Sequence, residues 1–141
     1  MTAVPTDRPV VETTLRVRYA ETDAMGIVYH TNYLIWFEVG RGEYSRATGT
    51  DYRHWEEAGL ALPVTEVSCR YLSSARYGDM VVVSTWVEEM RSRMITFGYE
   101  ARMQETGKVL ATGKTIHVCV NREGQAAQIP AEWRDAMSTR T

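Results

Sequence analysis

Residues 13–49 read TTLRVRYAETDAMGIVYHTNYLIWFEVGRGEYSRATG, and their order decides the fold. Thr13, Leu15, Val17 and Tyr19 alternate with Thr14, Arg16, Arg18 and Ala20, the period of a strand with one buried face. The run from Asp23 to His30, with Gly26 inside it, breaks that period. Asn32 then predicts an N-cap, and Tyr33, Trp36, Phe37, Gly40, Tyr44 and Ala47 recur at helical spacing until Gly49 ends the run. A strand, an acid, a glycine turn and a helix N-terminus in that order bring the Asp23 carboxylate beside free backbone N–H groups. Such a place can bind and attack a polarised carbonyl.

Outward from this stretch the chain reads mainly as strands. Val67, Cys69 and Tyr71 alternate, as do Val81, Val83, Thr85 and Val87; Ile95, Phe97, Tyr99, Ala101 and Met103 form the cleanest run, and Ile116, Val118 and Val120 close the series. Short polar connections at Arg91-Ser92 and at Glu105-Thr106-Gly107-Lys108 predict hairpins and an antiparallel meander. The expected class is therefore α+β, an antiparallel sheet of about five strands around one long helix. Gly40 and Gly42 inside that helix each cost about 1 kcal/mol relative to Ala unless sheet backbone approaches closely. Glu38 and Arg41 suit an intrahelical ion pair. A shorter helix is expected from Asp51 to Ala58, a loose tail over residues 1–11, and a tail or short helix over residues 130–141. One sheet with one helix leaves edges and a face uncovered, which predicts at least a homodimer.

The 141 residues suit one domain, and 44% hydrophobic with 24% charged residues is ordinary for a globular chain. A net charge of −2 argues against a nucleic-acid module. No run approaches the roughly 20 apolar residues of a membrane span, and the N-terminus lacks a secretory pattern, so a cytoplasmic protein is expected. Cys69 and Cys119 read as unpaired strand thiols. His30, His54 and His117 lack ligand-like spacing, so no metal is expected, and no phosphate loop or Ser-His-Asp elbow is present.

The segment VRYAETDAMGIVYHTNYLIWFEVGRGEY closely resembles the signature of the 4-hydroxybenzoyl-CoA thioesterase family of hotdog-fold enzymes, and especially its Tol-Pal-associated branch of short acyl-CoA thioesterases. The matching positions are Tyr19, Thr22, Asp23, Gly26, Val28, Tyr29, His30, Asn32, Tyr33, Glu38 and Arg41. A second match, VTEVSCRYLSSARYGDMVVV, carries Arg76, Tyr77 and Asp79 before a valine-rich strand. The resemblance implies a hotdog fold and hydrolysis of a small acyl- or aroyl-CoA thioester to free acid and coenzyme A, without a cofactor. It assigns Asp23 as general base or nucleophile and the His30 backbone N–H to the thioester oxygen, with the imidazole a further candidate acid for the leaving thiolate. It places Gly26 at the turn and Arg91 and Arg93, in the Met90–Arg93 hairpin, on the nucleotide phosphates; Tyr29 and Tyr33 become candidates for the acyl pocket. Each residue also has a plainer role: Asp23 in an Asx-turn, the tyrosines in the core, the arginines as solvated turn residues, Arg70 and Arg76 as purely structural. An acyl-carrier-protein thioesterase and a non-catalytic acyl-CoA-binding or scaffold protein are the alternatives.

Overall fold

The structure is a computed structural model and describes residues 3–138; residues 1–2 and 139–141 of the two expected tails lie outside the described residues. In chain order the elements are β1 (Val10–Arg16), α1 (Asn32–Ala47), α2 (Tyr52–Glu57), β2 (Val64–Tyr71), β3 (Met80–Met90), β4 (Met94–Met103), β5 (Val109–Val118) and α3 (Ala131–Ser138). The strands form one antiparallel sheet in the order β1-β3-β4-β5-β2. The polar connections make the β3-β4-β5 meander as expected. β2 instead pairs with β5, which leaves β1 and β2 as the edges. Register shifts at Val64/Glu66, Val87/Glu89 and Ala101/Arg102 add local twist, and the sheet curls round α1.

The helix buries Tyr33, Trp36, Phe37, Gly40 and Tyr44, the stripe its spacing predicts. Against them stand Val81 and Val83 of β3 and Phe97, Tyr99 and Ala101 of β4, all fully or almost fully buried. Phe37 stacks on Tyr99 with ring centroids 4.7 Å apart. Removing each such side chain from water stabilises the fold by about 1.5–3 kcal/mol, so this face dominates the energetics. Gly40 is where the sheet comes closest: a Cβ there would collide with Thr85 Oγ1 and lie 2.9 Å from Val83 Cγ1. Gly42 has no such reason, since its Cβ would meet only Arg46 Nη1 at 3.6 Å.

Two local expectations are corrected. Thr31, not Asn32, is the N-cap residue, without a side-chain cap bond, because the Asn32 amide instead donates to Glu21 O at 2.9 Å. Arg41 turns inward rather than pairing with Glu38: its Nε donates to Tyr52 Oη at 2.8 Å and its Nη1 to Tyr99 Oη at 3.1 Å. From there a buried polar chain runs on. Tyr99 Oη lies 2.5 Å from Thr115 Oγ1, which lies 2.8 Å from His117 Nε2, while His117 Nδ1 is 2.9 Å from Leu62 O. A carbonyl only accepts, so Nδ1 carries the proton, Thr115 donates to Nε2 and Tyr99 donates to Thr115. Burial and the nearby Arg41 charge push His117 down to about 4, despite the bond to Leu62 O, so it is neutral at pH 7.

β1 starts at Val10, before the alternation becomes clean, and the segment ahead of it lies against the sheet. Ala3 N–H donates to Glu100 Oε2 at 2.7 Å, and Arg8 donates to the carbonyls of Val87 and Glu88 at 3.2 and 3.0 Å. At the other terminus α3 packs Trp133 on Trp55, centroids 4.6 Å apart, and accepts the Tyr44 hydroxyl at Met137 O, 2.6 Å away. Among the described residues no helix is long and apolar enough to cross a membrane.

Candidate active site

Beyond β1, Val17 N–H donates to Asp79 O at 2.8 Å, and residues Tyr19–Glu21 wind into one 3₁₀ turn. An isolated bridge between Thr22 and Val28 then closes a tight loop with Asp23 at its entrance. Asp23 N–H donates to Ile27 O at 2.9 Å, and Gly26 N–H returns to Asp23 O at 2.9 Å. Gly26 has φ of +77°, a conformation costing an L-residue roughly 1–2 kcal/mol, which is why glycine stands there. The Asp23 side chain is half-buried and Oδ1 accepts Met25 N–H at 2.8 Å, forming the Asx-turn. That bond occupies one oxygen and aims the other, Oδ2, which has no donor among the described residues.

The same loop delivers His30 to the start of α1. Asn32 N–H donates to Tyr29 O at 2.9 Å, Tyr33 N–H to His30 O at 3.3 Å and Leu34 N–H to Thr31 O at 3.1 Å. Among the described residues the N–H groups of His30 and Thr31 have no acceptor. They lead into a 16-residue helix whose dipole places partial positive charge at this end. The Tyr71 hydroxyl donates to His30 O at 3.0 Å and pins this corner to β2. Tyr29 and Tyr71 flank the exposed His30 ring, with centroids 4.5 and 5.9 Å away.

Glu21, which carried no role in the sequence reading, holds the site together. It is 4% exposed; its carboxylate accepts Arg18 N–H and the Trp36 indole N–H, each at 2.8 Å, and lies 3.4 Å from the Arg18 guanidinium. Burial works against ionisation, but these donors outweigh it and hold the Glu21 carboxyl below its usual range. Its backbone carbonyl accepts Tyr29 N–H at 2.9 Å as well as the Asn32 amide. One residue thus ties the 3₁₀ turn, the loop and the helix start together. The signal for it was present: a glutamate two residues before Asp23, with Trp36 on the buried helix face needing an acceptor.

The other sequence candidates divide by position. Gly26 and Tyr29 sit on the Asp23 loop. Tyr33 lies beneath it in the core, its hydroxyl accepting Ala75 N–H at 3.4 Å and its ring packed on Trp36 and Tyr71. Arg91 and Arg93 are not brought to this place. They follow the far end of β3, whose start, Met80, adjoins the loop; 11 residues of strand put about 33 Å between those ends. Arg91 is also paired with Glu89 at 2.6 Å. The arginine that does reach the loop is Arg76, whose Nη1 lies 3.5 Å from Gly26 O. A cleft of about 550 Å³, lined in part by Ser68, Trp86, Glu88 and Lys114, includes neither Asp23 nor His30. It opens on the sheet face turned from α1, away from the Asp23 carboxylate and the free N–H groups.

A five-stranded antiparallel sheet wrapped round one long helix is the hotdog fold. The thioesterase-like superfamily model matches residues 17–137, and the chain belongs to that family. It is 38% identical over 109 residues to a Bacillus subtilis (strain 168) protein provisionally named acyl-CoA thioesterase YneP, covering 77% of this chain and 78% of that protein. It is 35% identical over 108 residues to the acyl-CoA thioesterase YbgC of Haemophilus influenzae, covering 76% and 78% respectively. The crystal structure of a DHNA-CoA thioesterase from Staphylococcus aureus superposes with a TM-score of 0.85 at 34% identity, over 90% of this chain and 87% of that one.

Proposed function

We propose that this protein is an acyl-CoA thioesterase, hydrolysing a small acyl- or aroyl-CoA thioester to the free acid and coenzyme A. The observation that carries the reading is one loop holding both an aimed, half-buried carboxylate and unpartnered N–H groups at a helix start. The names of the relatives support the substrate class. The thioester oxygen accepts the His30 N–H, which strengthens as charge develops on that oxygen. Asp23 Oδ2 then either takes a proton from attacking water or attacks the carbonyl carbon itself, giving a mixed anhydride that water opens. Collapse of the tetrahedral intermediate expels the thiolate, whose conjugate acid has a pKa near 8.5, so the His30 imidazole is a helper rather than a requirement. The reaction uses water, a carboxylate and backbone donors, and needs no metal or redox cofactor.

The same reading makes the enzyme a cytoplasmic homo-oligomer. β2 is an edge strand with Val64, Val67 and Tyr71 all more than 40% exposed, and pairing with a second copy along this edge would cover them. Measuring free thiol released from a panel of acyl- and aroyl-CoA substrates, and from one acyl group carried on acyl-carrier protein, tests the function. Turnover on CoA substrates is expected to exceed that on the carrier. Faster hydrolysis of the carrier-bound form would favour the carrier-protein reading. Retention of acyl-CoA without hydrolysis over hours would replace catalysis with binding.

A further inference from the structure

We propose that Tyr71 is a positioning residue of the hydrolysis, holding the His30–Thr31 peptide so that the Thr31 N–H serves as a second donor to the thioester oxygen. The proposal rests on the acyl-CoA reading and deepens it at one bond.

The peptide between His30 and Thr31 is held at one end only. Its carbonyl, His30 O, accepts the Tyr71 hydroxyl at 3.0 Å and Tyr33 N–H at 3.3 Å. Its N–H, that of Thr31, has no acceptor among the described residues. Thr31 already has helical angles, φ of −67° and ψ of −22°, so this N–H points out along the helix axis next to that of His30. A carbonyl only accepts, so the Tyr71 proton lies in the bond to His30 O. Donation into a carbonyl polarises the whole amide and makes the N–H on its other side a stronger donor. Because the amide is planar, the same bond also fixes the direction of the Thr31 N–H.

Tyr71 is placed to hold this peptide before any substrate arrives. It ends β2 opposite Ala111 of β5, on the face that looks at α1: two residues back Cys69 pairs with Gly113, where a Cβ would collide with the Phe37 ring. The Tyr71 ring packs on Tyr33 and on His30, with centroids 5.6 and 5.9 Å away and planes at 70° and 89°. Partial burial, with Cys69 and Tyr33 adding to it, pushes the phenol up to about 12, so it keeps its proton and stays a donor at neutral pH. All of these contacts lie within one chain. They use the side-chain face of β2, not the edge N–H and C=O groups that a second copy would pair. A tie between strand and helix alone would register in stability and leave kcat untouched.

Tyr71→Phe keeps both ring contacts and removes only the hydroxyl. Steady-state release of CoA should show kcat lower by about ten-fold, the effect of a donor weakened rather than lost, with KM, melting temperature and sedimentation close to wild type. An ester in place of the His30–Thr31 amide, made by incorporating the α-hydroxy acid at position 31, removes the N–H itself and should lower kcat by about 10²-fold. Adding Tyr71→Phe to that chain should lower it no further. The carbonyl stretch of benzoyl-CoA bound to Asp23→Asn protein reads the donors directly: it should lie below that of free benzoyl-CoA, by a shift that shrinks when Tyr71→Phe is added. Unchanged kcat in Tyr71→Phe, a loss carried by KM, melting temperature or sedimentation instead, a further loss on adding Tyr71→Phe to the ester chain, or a carbonyl stretch the variant leaves in place would each overturn the proposal. Wild-type protein that neither hydrolyses nor binds an acyl-CoA defeats the acyl-CoA reading, and the proposal with it, before any variant is compared. If wild type binds benzoyl-CoA without hydrolysing it, catalysis alone fails, and the carbonyl stretch in wild type against Tyr71→Phe decides the Thr31 donor: a shift reduced in the variant supports it, and equal shifts overturn it.

Discussion

At Asp23 the structural role and the proposed chemical role coincide. The Asx-turn, which read as the plain alternative to catalysis, is formed through Oδ1 and thereby orients Oδ2. Sequence reasoning located this residue because its neighbours are local: acid, glycine and helix start follow one another along the chain. It passed over Glu21 because a glutamate in a charged stretch looks solvated, and only the packed Trp36 indole shows that it is buried. Arg41 misled for the related reason that an i,i+3 spacing to Glu38 looks the same whether the guanidinium turns along the helix or into the core. Next along the same polar chain His117 is buried, and burial, with the Arg41 charge adding to it, has a measurable effect. Folding lowers the His117 pKa from 6.5 to about 4, so between those values the unfolded chain binds a proton the folded one refuses. Stability should be independent of this group above about pH 7 and should fall as pH drops from 6.5 towards 4, by on the order of 3 kcal/mol. Urea unfolding of wild type and His117→Gln across that range checks it; the variant should lose most of this slope, and equal slopes would count against the buried neutral imidazole.

At the level of elements, the two glycines of α1 separate close packing from mere propensity. The period of the helix was plain from its apolar spacing, but which glycine faces the sheet depends on the rotation of the helix against β3. Gly40→Ala must push against Thr85 and Val83 and should cost about 1–3 kcal/mol. Gly42→Ala meets only the movable end of Arg46 and should stabilise by up to about 1 kcal/mol. Thermal unfolding of both variants reads the difference in sign, and destabilisation by both would mean that α1 is rotated from the position described. The placement of β2 beyond β5 was not legible either. Hairpin signals fix neighbours that follow one another, whereas the β2–β5 pairing joins segments separated by two intervening strands and nothing local marks it.

At the scale of the whole molecule, the α+β class followed from the strand, helix and strand pattern, and the sheet wraps one helix as that pattern implies. The spacing after the valine-rich strand drew attention to Arg91 and Arg93; within one chain, antiparallel strands put that hairpin at the opposite end of the sheet from the Asp23 loop, which meets Arg76. The open β2 edge carries the prediction for assembly. Val67 is 46% exposed in the single chain, and Val67→Lys should put a charge into the interface between copies and shift the protein towards monomer in analytical ultracentrifugation. A variant as oligomeric as wild type would place the interface elsewhere.

The central claim is that one aimed carboxylate on a helix-entry loop performs the hydrolysis. Its most direct test is steady-state release of CoA by Asp23→Asn, which keeps the side-chain carbonyl that accepts Met25 N–H but cannot act as base or nucleophile. The expected result is a kcat lower by about 10²–10⁴-fold with melting temperature and KM close to wild type. Turnover equal to wild type would contradict the account.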